Sequence, residues 1–305
     1  MGDLKNELVW SHSRARAFKG CKRAYWLTYY GSWGGWDAQA SPEAREAYVQ
    51  KKLTTRAMWT GTVVHGVAET AIRDATHGRF DDVDRHVANA ARKARTDIAD
   101  SANGRWLGRP ARRVGFREHY YGEPVTDADW DAALAEIERQ VRSLFENKVF
   151  RRILDVPARV REVEQLQRFP VGDAEVYVSL DALMDDGKGG VVIIDWKTGE
   201  AHSDEVIAAQ LGVYGLYATE VLGVPPDRIL AMHVNLRHDT RTMHPVGPRE
   251  IEAARADIRE GVAEMRALLA DVRENVARKE DHPQVEETDP RCRWCSFRRT
   301  CGREK

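Results

Sequence analysis

The chain has 305 residues, 42% of them hydrophobic and 31% charged, enough for one large or two ordinary globular domains. Its formal net charge of -1 supplies no overall field toward nucleic acid, so any such attraction must come from local patches. No run approaches the roughly 18 apolar residues of a membrane helix, and Met1–Asn6 leads no apolar stretch of the secretory kind, so a cytoplasmic, reducing setting is expected.

Along the chain, Trp10 to Tyr30 carries Phe18, Tyr25, Trp26 and Tyr29 around Cys21 and reads as a short helix pair. Gly31-Ser32-Trp33-Gly34-Gly35-Trp36 is a loop by its glycines. Pro42 to about His77 reads as one helix stopped at Gly78. Thr126-x-x-Asp129 resembles a capping box, followed by Trp130, Leu134, Ile137, Val141 and Leu144 at amphipathic spacing. The pattern then turns to strands at Arg159–Phe169, Glu175–Leu183 and Val191–Trp196. The last two form a hairpin through Asp185-Asp186-Gly187-Lys188-Gly189-Gly190. A helix over Asp204–Leu222 closes at Gly223 with Pro225 beyond it. Strands at Ile229–Leu236 and Thr240–Pro245 follow. Ile251, Ile258, Val262, Met265, Leu269, Val272 and Val276 then mark a long helix. This divides the chain into a helical region 1–158, a core 159–246 and a closing segment 247–305, expected to form one integrated α/β domain.

Chemistry concentrates at Ile193-Ile194-Asp195-Trp196-Lys197 and at Asp181, which ends Val176-x-Val178-x-Leu180. Strand side chains alternate, so Asp195 and Lys197 share a face. Two carboxylates beside an ammonium suit metal-assisted phosphodiester hydrolysis: acids for the cation, lysine for the water or the developing charge. An acid at the end of an apolar strand such as Asp181 has no reason to be buried unless it is paired or bound to metal. His65 alone, on a helix, would more often be structural, and Tyr214 could simply pack its helix.

The four cysteines are Cys21 and Cys292-x2-Cys295-x5-Cys301. Four thiols in a polar setting suit tetrahedral zinc or a cubane iron–sulfur cluster. Cys21 and Cys292 are 271 positions apart, so shared coordination would clasp the two ends of the chain. By analogy with structural zinc, such binding supplies on the order of 10 kcal/mol to folding.

Together these residues resemble the PD-(D/E)XK nuclease superfamily: Asp181, Asp195-x-Lys197 and Gln210-x3-Tyr214 follow its pattern of strand, hairpin, helix and strand. The cysteines narrow the resemblance to the RecB-like iron–sulfur exonucleases, which include the AddB-type nuclease domains, exonuclease V and the CRISPR-associated adaptation nuclease. Ser11-x-Ser13, Cys21-Lys22-Arg23-Ala24-Tyr25-Trp26 and Gly61-Thr62-Val63-Val64-His65 resemble further signatures of that group, with Lys22 where proline is common. Residues 79–155 match nothing in it. The resemblance implies a restriction-endonuclease-like mixed sheet flanked by helices, with a large N-terminal helical region and a C-terminal iron–sulfur segment. It implies Mg²⁺ or Mn²⁺ held by Asp181, Asp195, the Trp196 carbonyl and His65. Lys197 would serve the water, Gln210 and Tyr214 would hold the lysine or the phosphate, and Glu164 would be a supporting acid. Cys21, Cys292, Cys295 and Cys301 would bind a 4Fe-4S cluster, with zinc as the alternative.

Two basic–aromatic segments offer a path for DNA: Arg105, Arg109, Arg112, Arg113 and Arg117 among Trp106, Phe116, Tyr120 and Tyr121, and Arg291, Arg293, Arg298, Arg299 and Arg303 around the cysteines. For the first segment, buried aromatics under a solvated face are an equal reading. The function expected is therefore a metal-dependent deoxyribonuclease acting from ends or on single strands, with a helicase as a possible partner. The alternatives are a CRISPR adaptation nuclease trimming prespacers with an integrase, and a non-cutting DNA-binding module.

Overall fold

A computed structural model describes residues 4–199 and 203–303. The chain opens with strand β1 (Val9–Trp10), helices α1 (His12–Gly20) and α2 (Lys22–Trp26), and a π-helical turn Leu27–Gly31. Helix α3 (Pro42–Lys51), strand β2 (Leu53–Thr54), α4 (Arg56–Thr76) and α5 (Val83–Ala102) follow, then β3 (Gly115–Phe116) and α6 (Arg117–Tyr121). Helices α7 (Asp127–Glu146) and α8 (Lys148–Asp155) lead into β4 (Val160–Val171), β5 (Ala174–Asp185) and β6 (Val191–Lys197). Helix α9 (Asp204–Glu220), β7 (Ile229–Asn235), β8 (Thr240–Pro245) and α10 (Pro248–Ala267) complete the regular elements.

The sheet runs β1-β5-β6-β7-β8, with β4 paired along β5. β5 is long enough to share one edge between two partners. Glu175 and Val176 near its start pair parallel with β1, and its last four residues pair antiparallel with β6. β6 and β7 are parallel, as their α9 crossover requires. Helices cover both faces, and each face has its own core. One core joins β1 and the sheet to α1, α2, α9 and α10 through Trp10, Phe18, Leu180, Ile193, Leu216 and Ile258. The other joins it to α4, α5, α7 and α8 through Trp59, Val141, Phe150, Ile194 and Trp196. This mixed α/β sandwich is consistent with the restriction-endonuclease-like fold expected.

The capping box at Thr126 and Asp129 forms as its spacing predicts. Two helix expectations need correction. The helix expected from Pro42 to His77 is broken by β2, because buried Leu53 and its neighbour Thr54 pair with Gly115 and Phe116. The Thr55 side chain then accepts from Met58 N–H and starts α4 afresh. The closing helix stops at Ala267 and does not reach Val276. The Asp271 carboxylate accepts from the N–H groups of Arg273 and Glu274, a local turn that competes with helix. Asn275 then takes a left-handed φ of 51°, and Val272 and Val276 are left exposed.

Hydrogen bonds join the N-terminal helices to the segment after α10. The Arg23 guanidinium donates to the carbonyls of Lys279 and His282, and Trp26 Nε1 donates to Ala277 O.

Candidate active site

The sheet changes character at one point, and the acids gather there. Leu180 belongs to the core under α9, yet Ala182, two residues on, belongs to the core under α4. Regular alternation would put both on one side, so the pleat slips at Asp181. Directly across, Glu164 takes φ 46° between ladder residues Val163 and Gln165. A left-handed glutamate is strained by roughly 1–2 kcal/mol. Where such strain is retained, it re-aims a side chain, and here Glu164 and Asp181 both turn toward α4.

His65 meets them from that helix. Its Nδ1 lies 2.9 Å from Glu164 Oε1 and 3.5 Å from Asp181 Oδ1. Gly61, one turn earlier on the same face, permits this approach, because a Cβ there would sit 2.7 Å from Thr198 Oγ1. Burial opposes a charge on His65, but Asp181 and then Glu164 outweigh it and raise its pKa to about 10. Without a metal, a protonated imidazole therefore neutralises the acids. Among the described residues, His65, Glu164 and Asp181 form the one group of three such donors whose ligand atoms all lie within 4.8 Å of one another.

Asp195 sits deeper, 1% exposed at the end of β6. Its carboxylate accepts from Lys197 Nζ at 2.8 Å and from Gln210 Nε2 at 3.3 Å. Gln210 Nε2 is also 2.6 Å from the Tyr214 hydroxyl, one turn on along α9. Desolvation first, and Asp181 second, raise the Asp195 pKa to about 6 despite Lys197. Burial likewise pushes the Tyr214 phenol up. The Asp181 carboxylate accepts from Trp196 N–H at 2.6 Å. In an extended strand a residue's N–H and C=O point to the same edge, so the Trp196 carbonyl also faces Asp181. The Trp196 side chain goes the other way and packs edge-on against Phe150.

All the residues expected at this site thus converge: His65, Glu164, Asp181, Asp195, Trp196, Lys197, Gln210 and Tyr214. His233 is an addition that no spacing marks. It is buried in register with Asp195 on the neighbouring parallel strand. Asn235, buried in register with Lys197, caps the strand end by donating to Gly199 O and accepting from Arg237 and His238 N–H. Both depend on β6–β7 pairing, which the sequence does not reveal. A cleft of about 590 Å³ opens beside His65 and Glu164, walled by Thr54, Met58, Gly61 and Thr198.

The four cysteines come together at the far end of α1, lining one small pocket with Arg303, whose guanidinium donates to Cys292 Sγ at 2.8 Å. The basic–aromatic segment around residues 105–121 resolves as the packed alternative. Trp106, Phe116 and Arg117 are buried, Arg113 pairs with Asp100, and Arg117 donates to Trp294 O. Trp106 and Phe116 are core, and the half-buried Tyr120 and Tyr121 are covered by Arg299 and Arg298. In the second segment, Arg298 pairs with Glu123 and lies 3.8 Å over the Tyr121 ring, fastening the cysteine segment to α6.

An oxygen-rich donor set with one imidazole and an adjacent ammonium belongs to the metal-dependent hydrolases of phosphate esters. The chain is a member of the PD-(D/E)XK nuclease superfamily, whose family model matches residues 9–302. Nucleases of this superfamily use divalent metals, and membership supports a nuclease with DNA as its substrate. A search of curated proteins finds no match. Among the described residues, no helix is long and apolar enough to cross a membrane.

Proposed function

We propose that this protein is a divalent-metal-dependent exonuclease acting on DNA ends or single strands, and that it carries a structural 4Fe-4S cluster. The convergence of His65, Glu164, Asp181, Asp195 and Lys197 at the slipped pleat is the observation that carries the catalytic reading. Asp181, Asp195, His65 and the Trp196 carbonyl would hold the cation, with Glu164 orienting His65. The buried charge of Asp195 and the crowding of Asp181 on Glu164 fit such an ion, because both are costly unless a cation offsets them. A bound divalent cation supplies Lewis acidity and a water of lowered pKa. The imidazole favours Mn²⁺ beside Mg²⁺.

Lys197 is partly exposed and holds its ammonium on the Asp195 carboxylate, placed to orient a water or to offset the charge that develops on the phosphate. Gln210 holds Asp195 and is itself held by Tyr214, which keeps the lysine's partner in one rotamer. Lys197→Ala should cut the cleavage rate by about 10²–10³-fold, with fold and cluster intact. Asp195→Ala should abolish it. A chelator should stop cleavage, with Mn²⁺ restoring it at least as well as Mg²⁺. Cleavage at the wild-type rate by either variant, or cleavage surviving thorough chelation, overturns the assignment.

The cluster reading is supported by the chemistry of the donors. Burial, aided by the other three sulfurs, pushes the Cys295 thiol up to about 11, so free thiolates there are unfavourable without bound metal. Anaerobically purified protein should absorb broadly near roughly 400 nm and contain about four irons and four sulfides. A colourless zinc protein would remove the cluster and leave the nuclease site standing.

A further inference from the structure

The loop Gly31–Trp36 inverts the usual order of burial. Its small residues Ser32 and Gly35 are buried, while its two largest, Trp33 and Trp36, are 38% and 42% exposed. Exposed large aromatics held in a fixed loop are informative where a lone exposed leucine is not. The loop is held by its own hydrogen bonds, from Ser32 N–H to Leu27 O, Trp33 N–H to Tyr30 O, and Gly35 N–H to Ser32 O. Arg45 donates to Gly35 O. Gly35 lies so close to α3 that a Cβ would sit 2.3 Å from Ala44 O. The tryptophans are therefore presented by a braced turn.

The rings form a connected row. Trp33 and Trp36 meet edge to face at 5.0 Å, and Trp36 lies 6.0 Å from Tyr48. The Lys52 ammonium sits 5.7 Å over the Tyr48 ring, and the Arg45 guanidinium 6.0 Å from it. Two residues after Lys52, Thr54 lines the cleft beside His65, and exposed Met58 stands on the same wall. From Tyr48 to Lys52 is about 6 Å of helical rise, and two extended residues reach about 7 Å more. The row therefore ends within a few nucleotides of the acids.

We propose that Trp33 and Trp36, backed by the buried Tyr48 ring and flanked by Lys52, form a base-stacking platform that leads single-stranded DNA into the cleft beside His65, a reading that rests on the nuclease assignment above. Aromatic faces interleaved with cations bind single strands irrespective of sequence, since every base has a π-face and every linkage a charge. Paired bases are already stacked and offer no face, so the platform selects unpaired strands.

The test is fluorescence anisotropy with labelled oligothymidylate and with a blunt duplex, in EDTA so that nothing is cut. The double variant Trp33→Ala/Trp36→Ala should bind the single strand about tenfold more weakly or worse, with the duplex affected less than twofold. Trp33→Phe/Trp36→Phe should retain most of the affinity. Lys52→Ala should lower the salt slope by about 0.7. If the alanine variant, or Trp33→Ala alone, melts as wild type and binds oligothymidylate as wild type, the proposal is overturned. Equal weakening on duplex and single strand overturns it as well. A wild-type protein that never cleaves with Mn²⁺ yet shows this binding pattern refutes the nuclease reading and leaves the platform standing. Intact cleavage with unchanged binding refutes the platform alone.

Discussion

Replacing Asp195 by Asn should stabilise the metal-free protein above pH 6 while abolishing cleavage. Asp195 is 1% exposed, and its carboxyl is raised from 3.8 to about 6, by desolvation first and by Asp181 second. Between those values the unfolded chain has lost the proton that the folded chain still holds, so stability falls as pH rises. The contribution of the neutral form is complete below 3.8 and gone above about 6. A difference of about 2 units corresponds to about 3 kcal/mol. An amide keeps the shape and can still pair with Gln210, and Lys197 is exposed enough to be hydrated. Urea denaturation of apo protein should show the two forms close in stability at pH 4, with the variant ahead by up to about 3 kcal/mol at pH 7.5. Mn²⁺ should then stabilise the wild type and leave the variant little changed, because bound metal offsets the buried charge. A variant less stable than wild type at pH 7.5, or a gap independent of pH, would refute the claim that the buried Asp195 charge costs more than Lys197 offsets.

Glu164→Gly should relieve the left-handed backbone by about 1 kcal/mol and weaken Mn²⁺ binding, read by urea melts and calorimetry. Loss of stability instead would show that its pairing with His65 outweighs the strain. His65→Ala should weaken Mn²⁺ affinity by about 10–100-fold, with a larger loss for Mn²⁺ than for Mg²⁺; equal losses would argue against imidazole ligation. Gly61→Val should push α4 away from Thr198 and slow cleavage with little change in oligothymidylate affinity. An unchanged rate would mean that the close approach does not set His65. Phe150→Ala, which removes the fully buried partner of Trp196, should cost about 3–5 kcal/mol by the same melts; a cost below 1 kcal/mol would mean the Trp196 side of β6 is not anchored there.

Much of this molecule was legible in local pattern. Alternation placed Asp195 and Lys197 on one face, helical spacing placed Gln210 and Tyr214 one turn apart, and the Thr126 capping box began α7 where it should. Each of these depends only on backbone period and near neighbours. The break at Leu53 and the stop at Ala267 were not legible, because a strand partner 62 positions away and an aspartate turn overrode a continuing helical pattern. The slip of the pleat between Leu180 and Ala182, the left-handed Glu164, the register of His233 beside Asp195 and the exposure of Trp33 and Trp36 were decided only by tertiary structure. They depend on which strands pair and which faces are covered, and those are properties of residues far apart in sequence meeting in space. The sequence determined which side chains could do the chemistry; the sheet's irregularity decided that they face one another.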